Sequence, residues 1–265
     1  MTAVRAGLLS FCFGLVLLAC GPKKPPAREN SPMSAAPGSF EILGRSGPVA
    51  MGRLRLGPSQ ALRVPASACQ EVLLFVEEGA LRHEAHGWLR HGDAARFHGP
   101  TVVEAAPGGQ TSVFAAIVRH PAVMKAESPS WQPLPEEPPC PSPSSQSVLA
   151  DPARSGPFVH AEGKLRVHVY LDAGQDPDAL ATLGTLDADP TQAVPEHVHP
   201  ASAEVLWIVD GAGTMRLGDD SLRIRPGTFV FVPAGTRHDF VPDATRPLFA
   251  YQLYAPPGPE QRFKN

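Results

Sequence analysis

After an uncharged opening run, apolar positions in this chain come in short clusters, separated by Gly, Pro and Asp, with no amphipathic helical period longer than about three turns. In the C-terminal half the clusters fall at 164–171, 181–186, 205–209, 214–217, 221–224, 228–232 and 247–253. Each is the length of a strand and is bounded by turn-forming residues. Many short strands at regular spacing predict an all-β sandwich or barrel.

Two stretches break the pattern. Residues 20–38 are rich in Pro, Lys and Ser and read as a tether. Residues 127–156 include PLPEEPPCPSPSS, whose prolines forbid helix interiors and central strands, and read as an interdomain linker. The globular part divides into residues 39–126 and 157–265. These halves share sequence. Pro65-Ala66-Ser67-Ala68 followed by Glu71-Val72-Leu73-Leu74-Phe75-Val76 repeats as Pro200-Ala201-Ser202-Ala203 followed by Glu204-Val205-Leu206-Trp207-Ile208-Val209, with two extra residues before the first glutamate. Gly92 then matches Gly227, and Val113-Phe114-Ala115 matches Leu248-Phe249-Ala250. Ordered matches of this kind predict two copies of one β-fold.

Charge removes one class of partner: a net charge of −3 with no basic block gives no footprint for nucleic acid. The opening run, residues 6–19 after the lone charge Arg5, is too short to span a bilayer but suits the apolar core of a signal peptide. The segment Leu17-Leu18-Ala19-Cys20-Gly21 resembles the lipobox of bacterial lipoproteins. That resemblance implies removal of residues 1–19, acylation of Cys20, and anchoring in the bacterial cell envelope, facing the periplasm, with the membrane as partner through the lipid. Cys69 and Cys140 are then an even pair in an oxidising compartment. Nothing in the sequence fixes their separation, so pairing stays open.

The chemistry concentrates between His197 and His238. His197-Val198-His199 has strand spacing, which turns both imidazoles to one face. Glu204 opens the next strand, and His238 closes a Gly227-to-His238 segment ending Pro233-Ala234-Gly235-Thr236-Arg237-His238. Three imidazoles and one carboxylate, without thiolate, suit a borderline divalent ion with positions left for water or substrate.

These residues resemble the two cupin motifs. A His-x-His pair is followed by four residues and a Glu, then six and a Gly (Gly211). In the second motif a Gly (Gly227) precedes five residues and a Pro (Pro233), then x-Gly (Gly235), two residues and a His. Two departures, Thr191 for a glycine and Pro242 for an asparagine, touch no ligand. The resemblance implies two antiparallel jelly-roll (cupin) barrels, with one divalent transition metal (Fe, Mn, Ni, Cu or Zn) held by His197, His199, Glu204 and His238. It also implies a small-molecule ligand or substrate. Three function classes follow: a metalloenzyme of dioxygenase, decarboxylase or isomerase type, a non-catalytic binding or sensing module, and a structural envelope protein. In the first half, alignment on Pro65 puts Leu62, Val64 and Val103 at the imidazole positions and keeps Glu71, which predicts a barrel without metal. The run His83-Glu84-Ala85-His86 falls at a rim hairpin and reads as solvated.

Strand parity completes the expectation. Leu206, Ile208 and Phe240 should face inward as a pocket wall, and Trp207 outward with Val205 and Val209. A Trp between two valines needs a cover: the other barrel, a second subunit in a homodimer, or a further β-layer of its own barrel. Tyr170, Tyr251 and Arg237 are long enough to reach a ligand. No catalytic acid–base pair beyond the metal ligands is identifiable.

Overall fold

The structure is a computed structural model and describes residues 39–123, 129–134, 139–150 and 156–264. The expected signal peptide, Cys20 and the tether to residue 38 lie outside the described residues. Twenty strands dominate the described residues: β1 (Phe40–Ser46), β2 (Val49–Leu56), β3 (Ala61–Val64), β4 (Gln70–Glu78), β5 (Ala80–His83), β6 (Gly87–Arg90), β7 (Ala94–Phe97), β8 (Thr101–Ala105), β9 (Thr111–Arg119) and β10 (Ser147–Ala150). The second set is β11 (Phe158–His160), β12 (Leu165–Leu171), β13 (Leu183–Ala188), β14 (Val194–His197), β15 (Ala203–Asp210), β16 (Gly213–Leu217), β17 (Asp220–Ile224), β18 (Phe229–Val232), β19 (His238–Pro242) and β20 (Leu248–Ala255).

Each set forms a jelly-roll barrel from a six-stranded and a four-stranded antiparallel sheet. The large sheets run β1-β2-β9-β4-β7-β10 and β11-β12-β13-β20-β15-β18; the small ones run β3-β8-β5-β6 and β14-β19-β16-β17. The fold is all-β, as the strand pattern predicts, and β10 shows that the proline-rich stretch is more than a spacer. Residues 147–150, free of proline, extend the first barrel's large sheet by pairing with β7. Upstream, Trp131 stacks on Phe40 with centroids 5.1 Å apart. Cys140 is disulfide-bonded to Cys69 across 71 residues, so the strap is tied to the barrel covalently.

The two large sheets face one another, which explains why β4 reads as an unbroken apolar run. Val72, Leu74 and Val76 fill the first barrel, while Leu73 and Phe75 turn outward into a second core shared with Val205, Tyr251 and Leu253 of the other barrel. A strand buried on both faces loses the polar alternation that marks a half-exposed one. Phe114 stacks on Tyr251 at 3.9 Å between centroids, and Phe75 lies 4.9 Å from Tyr170. Trp207 packs against this shared core, so its cover is the first barrel. At the edge, β1 approaches β18 so closely that a Cβ on Gly44 would lie 2.1 Å from the Phe229 ring.

Buried charge also crosses the junction. The Arg96 guanidinium donates to the carbonyls of Asp172 (3.1 Å) and Ala181 (2.6 Å) and lies 3.4 Å from Glu71. Glu71 in turn accepts from the backbone N–H of Leu180 and Ala181, and His98 meets Asp176 at 2.5 Å. These contacts pin the 172–181 loop of the second barrel onto the first.

Candidate metal centre

In the second barrel, β14 and β19 pair with His197 opposite His238, and β15 lies across the interior with Glu204 opposite Tyr254 of β20. His199 sits just beyond β14, in the bend that leads into β15. One ligand atom from each of His197, His199, Glu204 and His238 falls within 4.8 Å of every other. His199, Glu204 and His238 are buried and His197 half-buried. The centre therefore joins both sheets through residues 41 positions apart at the extremes, and it exists only when the barrel closes.

The donor atoms are set up for a cation. His197 and His238 each direct Nδ1 at a backbone carbonyl, Pro195 at 2.8 Å and Thr236 at 2.9 Å. In His197 donation from Nδ1 leaves the lone pair on Nε2, which faces the cluster; in His238 both nitrogens donate, Nδ1 to Thr236 and Nε2 to Glu204 Oε2 at 2.9 Å. Among the described residues the buried Nε2 of His197 has no hydrogen-bond partner, an arrangement that costs free energy unless something else satisfies it, and the Nε2 of His199 has only the Glu204 carboxylate, 3.3 Å away. Burial pushes the Glu204 carboxyl upward, but His199, His238 and Gln252 outweigh it and hold the group far below the usual carboxylate range. Burial lowers the His197 imidazole, keeping it neutral and free to ligate. Burial also works against charge on His238, yet the 2.9 Å contact with Glu204 raises its pKa, so a metal would displace a proton there. Three imidazoles around one carboxylate, with the His238 proton given up on binding, fit a divalent transition ion.

Behind the carboxylate stands a support that the motif does not reveal. Gln252 Nε2 donates to Glu204 Oε1 at 2.5 Å and contacts the Tyr254 hydroxyl at 2.8 Å; that hydroxyl lies 3.4 Å from the same oxygen. Burial, reinforced by the Glu204 charge, raises the Tyr254 phenol well above its usual pKa, so it remains a donor. Parity along β20 contains the signal, because Gln252 and Tyr254 pair with Leu206 and Glu204 on the inward side of β15.

The centre opens on a cavity of about 60 Å³. Leu206 and Phe240 line it as expected; Ile208 is buried in the same core without lining the cavity. Leu165, Met215 and Leu248 add further apolar wall, and Arg262 and Phe263 of the C-terminal 3-10 turn (Pro259–Lys264) complete it. Three expected reaching groups are elsewhere. Tyr170 and Tyr251 point into the shared core, where Tyr251 donates to Glu77 at 3.0 Å. The exposed Arg237 lies beside Glu196. All three fail for the same reason: their parity or loop position turns them away from the barrel interior.

The first barrel repeats the geometry without the chemistry. Leu62 pairs with Val103 as His197 pairs with His238. The glutamate equivalence needs correction. Val72 opposes Phe97 as Glu204 opposes Val232, and Gly92 donates to Val76 as Gly227 donates to Ile208. Val72 thus occupies the position of Glu204, while Glu71 points outward into the junction. The β9 register moves likewise, with Val113, which pairs with Val76, corresponding to Ala250, which pairs with Ile208. His83 also differs from expectation. It is buried, donates or accepts at Thr101 Oγ1 (2.9 Å) and stacks on His86 at 4.8 Å, because β10 and the hairpin close over it.

A family model for the cupin domain matches residues 185–254, the span holding all four clustered residues. Residues 185–254 are thus similar to the cupin domain. The tetracenomycin polyketide synthase protein TcmJ of Streptomyces glaucescens is 32% identical over 56 residues, 21% of this chain and 38% of that relative. The chain thus spans well under half the length of this curated relative. Similar solved structures cover both barrels. A putative glyoxylate-induced protein from Pseudomonas aeruginosa has a TM-score of 0.57 at 17% identity, over 81% of this chain and 78% of its own. Lactobacillus farciminis oxalate decarboxylase gives 0.58 at 15%, over 80% and 78%. Bacillus subtilis oxalate decarboxylase, which has Mn(II) centres, gives 0.59 at 14%, over 80% and 70%. At such identities the likeness establishes the fold, two jelly-roll barrels in one chain, and leaves chemistry to the site itself.

Proposed function

We propose that this protein is an exported, lipid-anchored bicupin that binds one divalent transition metal through His197, His199, Glu204 and His238 and acts as a metalloenzyme on a small organic molecule. The observation that carries the reading is the convergence of His199, His238 and an anionic Glu204 with the Nε2 of His197, which is buried without a hydrogen-bond partner among the described residues, at the end of a mostly apolar cavity. A bound ion would supply Lewis acidity and open coordination positions. The chain's own groups divide the remaining work. Gln252 and Tyr254 hold Glu204 in place, the aliphatic wall excludes water, and Arg262 offers a polar contact beyond the ligand set. That extra contact favours an enzyme over a closed structural centre, where four ligands would suffice.

The first barrel serves as a metal-free partner that covers Val205 and Trp207. The Cys69–Cys140 disulfide supports an oxidising compartment, in keeping with export and acylation at Cys20. Water proton relaxation of the Mn²⁺-loaded protein tests the open-site reading. Enhancement that falls when a small ligand is added supports it, whereas no enhancement over free protein contradicts it. Cys20→Ser should move the chain from the membrane fraction to the soluble one; unchanged membrane association would remove the anchor from the account.

A further inference from the structure

We propose that Arg262 is the specificity-determining residue of the metal cavity, and that the molecule it selects is a small monocarboxylate with a short hydrocarbon body. This inference rests on the reading of the cluster as a metal site, and deepens it by naming the substrate class.

Charge pairing and position together single out Arg262, since Arg225, the other arginine of this barrel without an acidic partner among the described residues, does not line the cavity. In the same barrel Arg166, Arg216, Arg223, Arg237 and Arg246 each face a carboxylate, respectively Asp187, Asp239, Asp243, Glu196 and Asp210. Arg262 has no acidic partner among the described residues, and its guanidinium lies over the Phe263 ring, 4.7 Å from the centroid. A guanidinium at the wall of a mostly apolar cavity is a preformed half of a bidentate carboxylate pair. It lines the same cavity as His197, Glu204 and His238, so its positive charge faces the space beside the cluster. An anion seated between Arg262 and the imidazoles would be attracted from both sides once a cation is bound.

The mount of this residue is built. Lys264 pairs with the buried Asp172, and Gln261 Nε2 donates to Asp172 at 3.4 Å and to Glu260 at 2.8 Å. His160 Nε2 donates to the Phe263 carbonyl at 3.0 Å. Contacts on both sides of Arg262 therefore hold the turn over the cavity. Size and composition complete the argument. A cavity of about 60 Å³ has room for roughly four to six water-sized groups, the ion included. Its mostly aliphatic and aromatic wall favours hydrocarbon; of the acidic groups that line it Glu204 would be taken up by the ion and Asp239 is paired with Arg216, which leaves Arg262 to face one carboxylate.

Propionate and propionamide, equal in size and different in charge, are the probes. Each is titrated calorimetrically into the full chain, metal-free and Mn²⁺-loaded, as wild type, Arg262→Met, Arg262→Lys and Arg225→Met. Arg225 is exposed, has no acidic partner among the described residues and does not line the cavity, and its variant carries the same change in net charge. The expected result is that propionate binds the loaded wild type and weakens about ten- to a hundredfold in Arg262→Met, with partial retention in Arg262→Lys. Arg225→Met should bind like wild type, and propionamide should be weak and indifferent to Arg262. The proposal is overturned if Arg262→Met binds propionate as wild type does, if the two probes bind wild type alike, or if Arg225→Met loses as much. Circular dichroism separates these outcomes from misfolding, which the exposed position of Arg262 makes unexpected. If propionate binding depends on Arg262 but is identical with and without metal, the metal reading fails and the specificity residue stands.

Discussion

Replacing Gln252 by Met tests whether the carboxylate ligand depends on the support behind it. Gln252 is buried and gives Glu204 Oε1 a 2.5 Å hydrogen bond, while Oε2 faces His199 at 3.3 Å and His238 at 2.9 Å. The substitution leaves the imidazole-facing oxygen alone and removes the donor that orients the other. A hydrogen bond to a charged group contributes about 1.5–3 kcal/mol, which corresponds to roughly a ten- to hundredfold loss of metal affinity. The Tyr254 hydroxyl, 3.4 Å from the same oxygen, can move in and partly replace it, so the expected loss is near tenfold. Methionine has a similar volume, and the barrel should keep its fold. Competition with a chelator of known Zn²⁺ affinity, at fixed neutral pH, reads the change. A folded Gln252→Met protein with affinity within about twofold of wild type would refute the supporting role.

Three further outcomes follow from the junction and the strap. Removing the disulfide through Cys69→Ser with Cys140→Ser should cost about 2–4 kcal/mol in urea unfolding, since it closes a long loop; an unchanged midpoint would mean that the strap stays docked without it. Gly44→Val should destabilise the barrel junction by about 1–3 kcal/mol through overlap with Phe229, and pairing it with Phe229→Ala should recover part of the loss. Burial pushes the Glu77 carboxyl upward, but Arg53, Ser112 and Tyr251 hold it below its usual pKa. Its contribution is therefore complete above the unfolded value of about 4.3 and fades as pH falls through the lower folded value, so Glu77→Gln should flatten the acid limb of the stability profile.

The metal quartet was legible because its spacing reflects local geometry: alternate residues of a strand, a short turn, and a proline-glycine bend before His238. Parity likewise placed Leu206, Phe240 and Trp207 on the correct sides. What escaped depends on pairing between distant strands. Glu71 and Val72 differ by one position, and a one-residue slip reverses every side chain, so aligning glutamates hid a wholly aliphatic quartet of Leu62, Val64, Val72 and Val103. Gln252 and Tyr254 become neighbours of Glu204 only through the register of β20 against β15. Arg262 and Phe263 belong to a short turn after a proline-glycine bend, which carries no periodic signal. The proline-rich stretch concealed β10 because composition averages over a four-residue strand.

The central claim is one divalent ion held by His197, His199, Glu204 and His238, and elemental analysis of the purified chain beside its His197→Ala variant tests it most directly. About one equivalent of a divalent transition metal is expected in the wild type and far less in the variant, with the fold of both unchanged. Wild-type protein that takes up no stoichiometric metal, or a variant that retains as much, would contradict it.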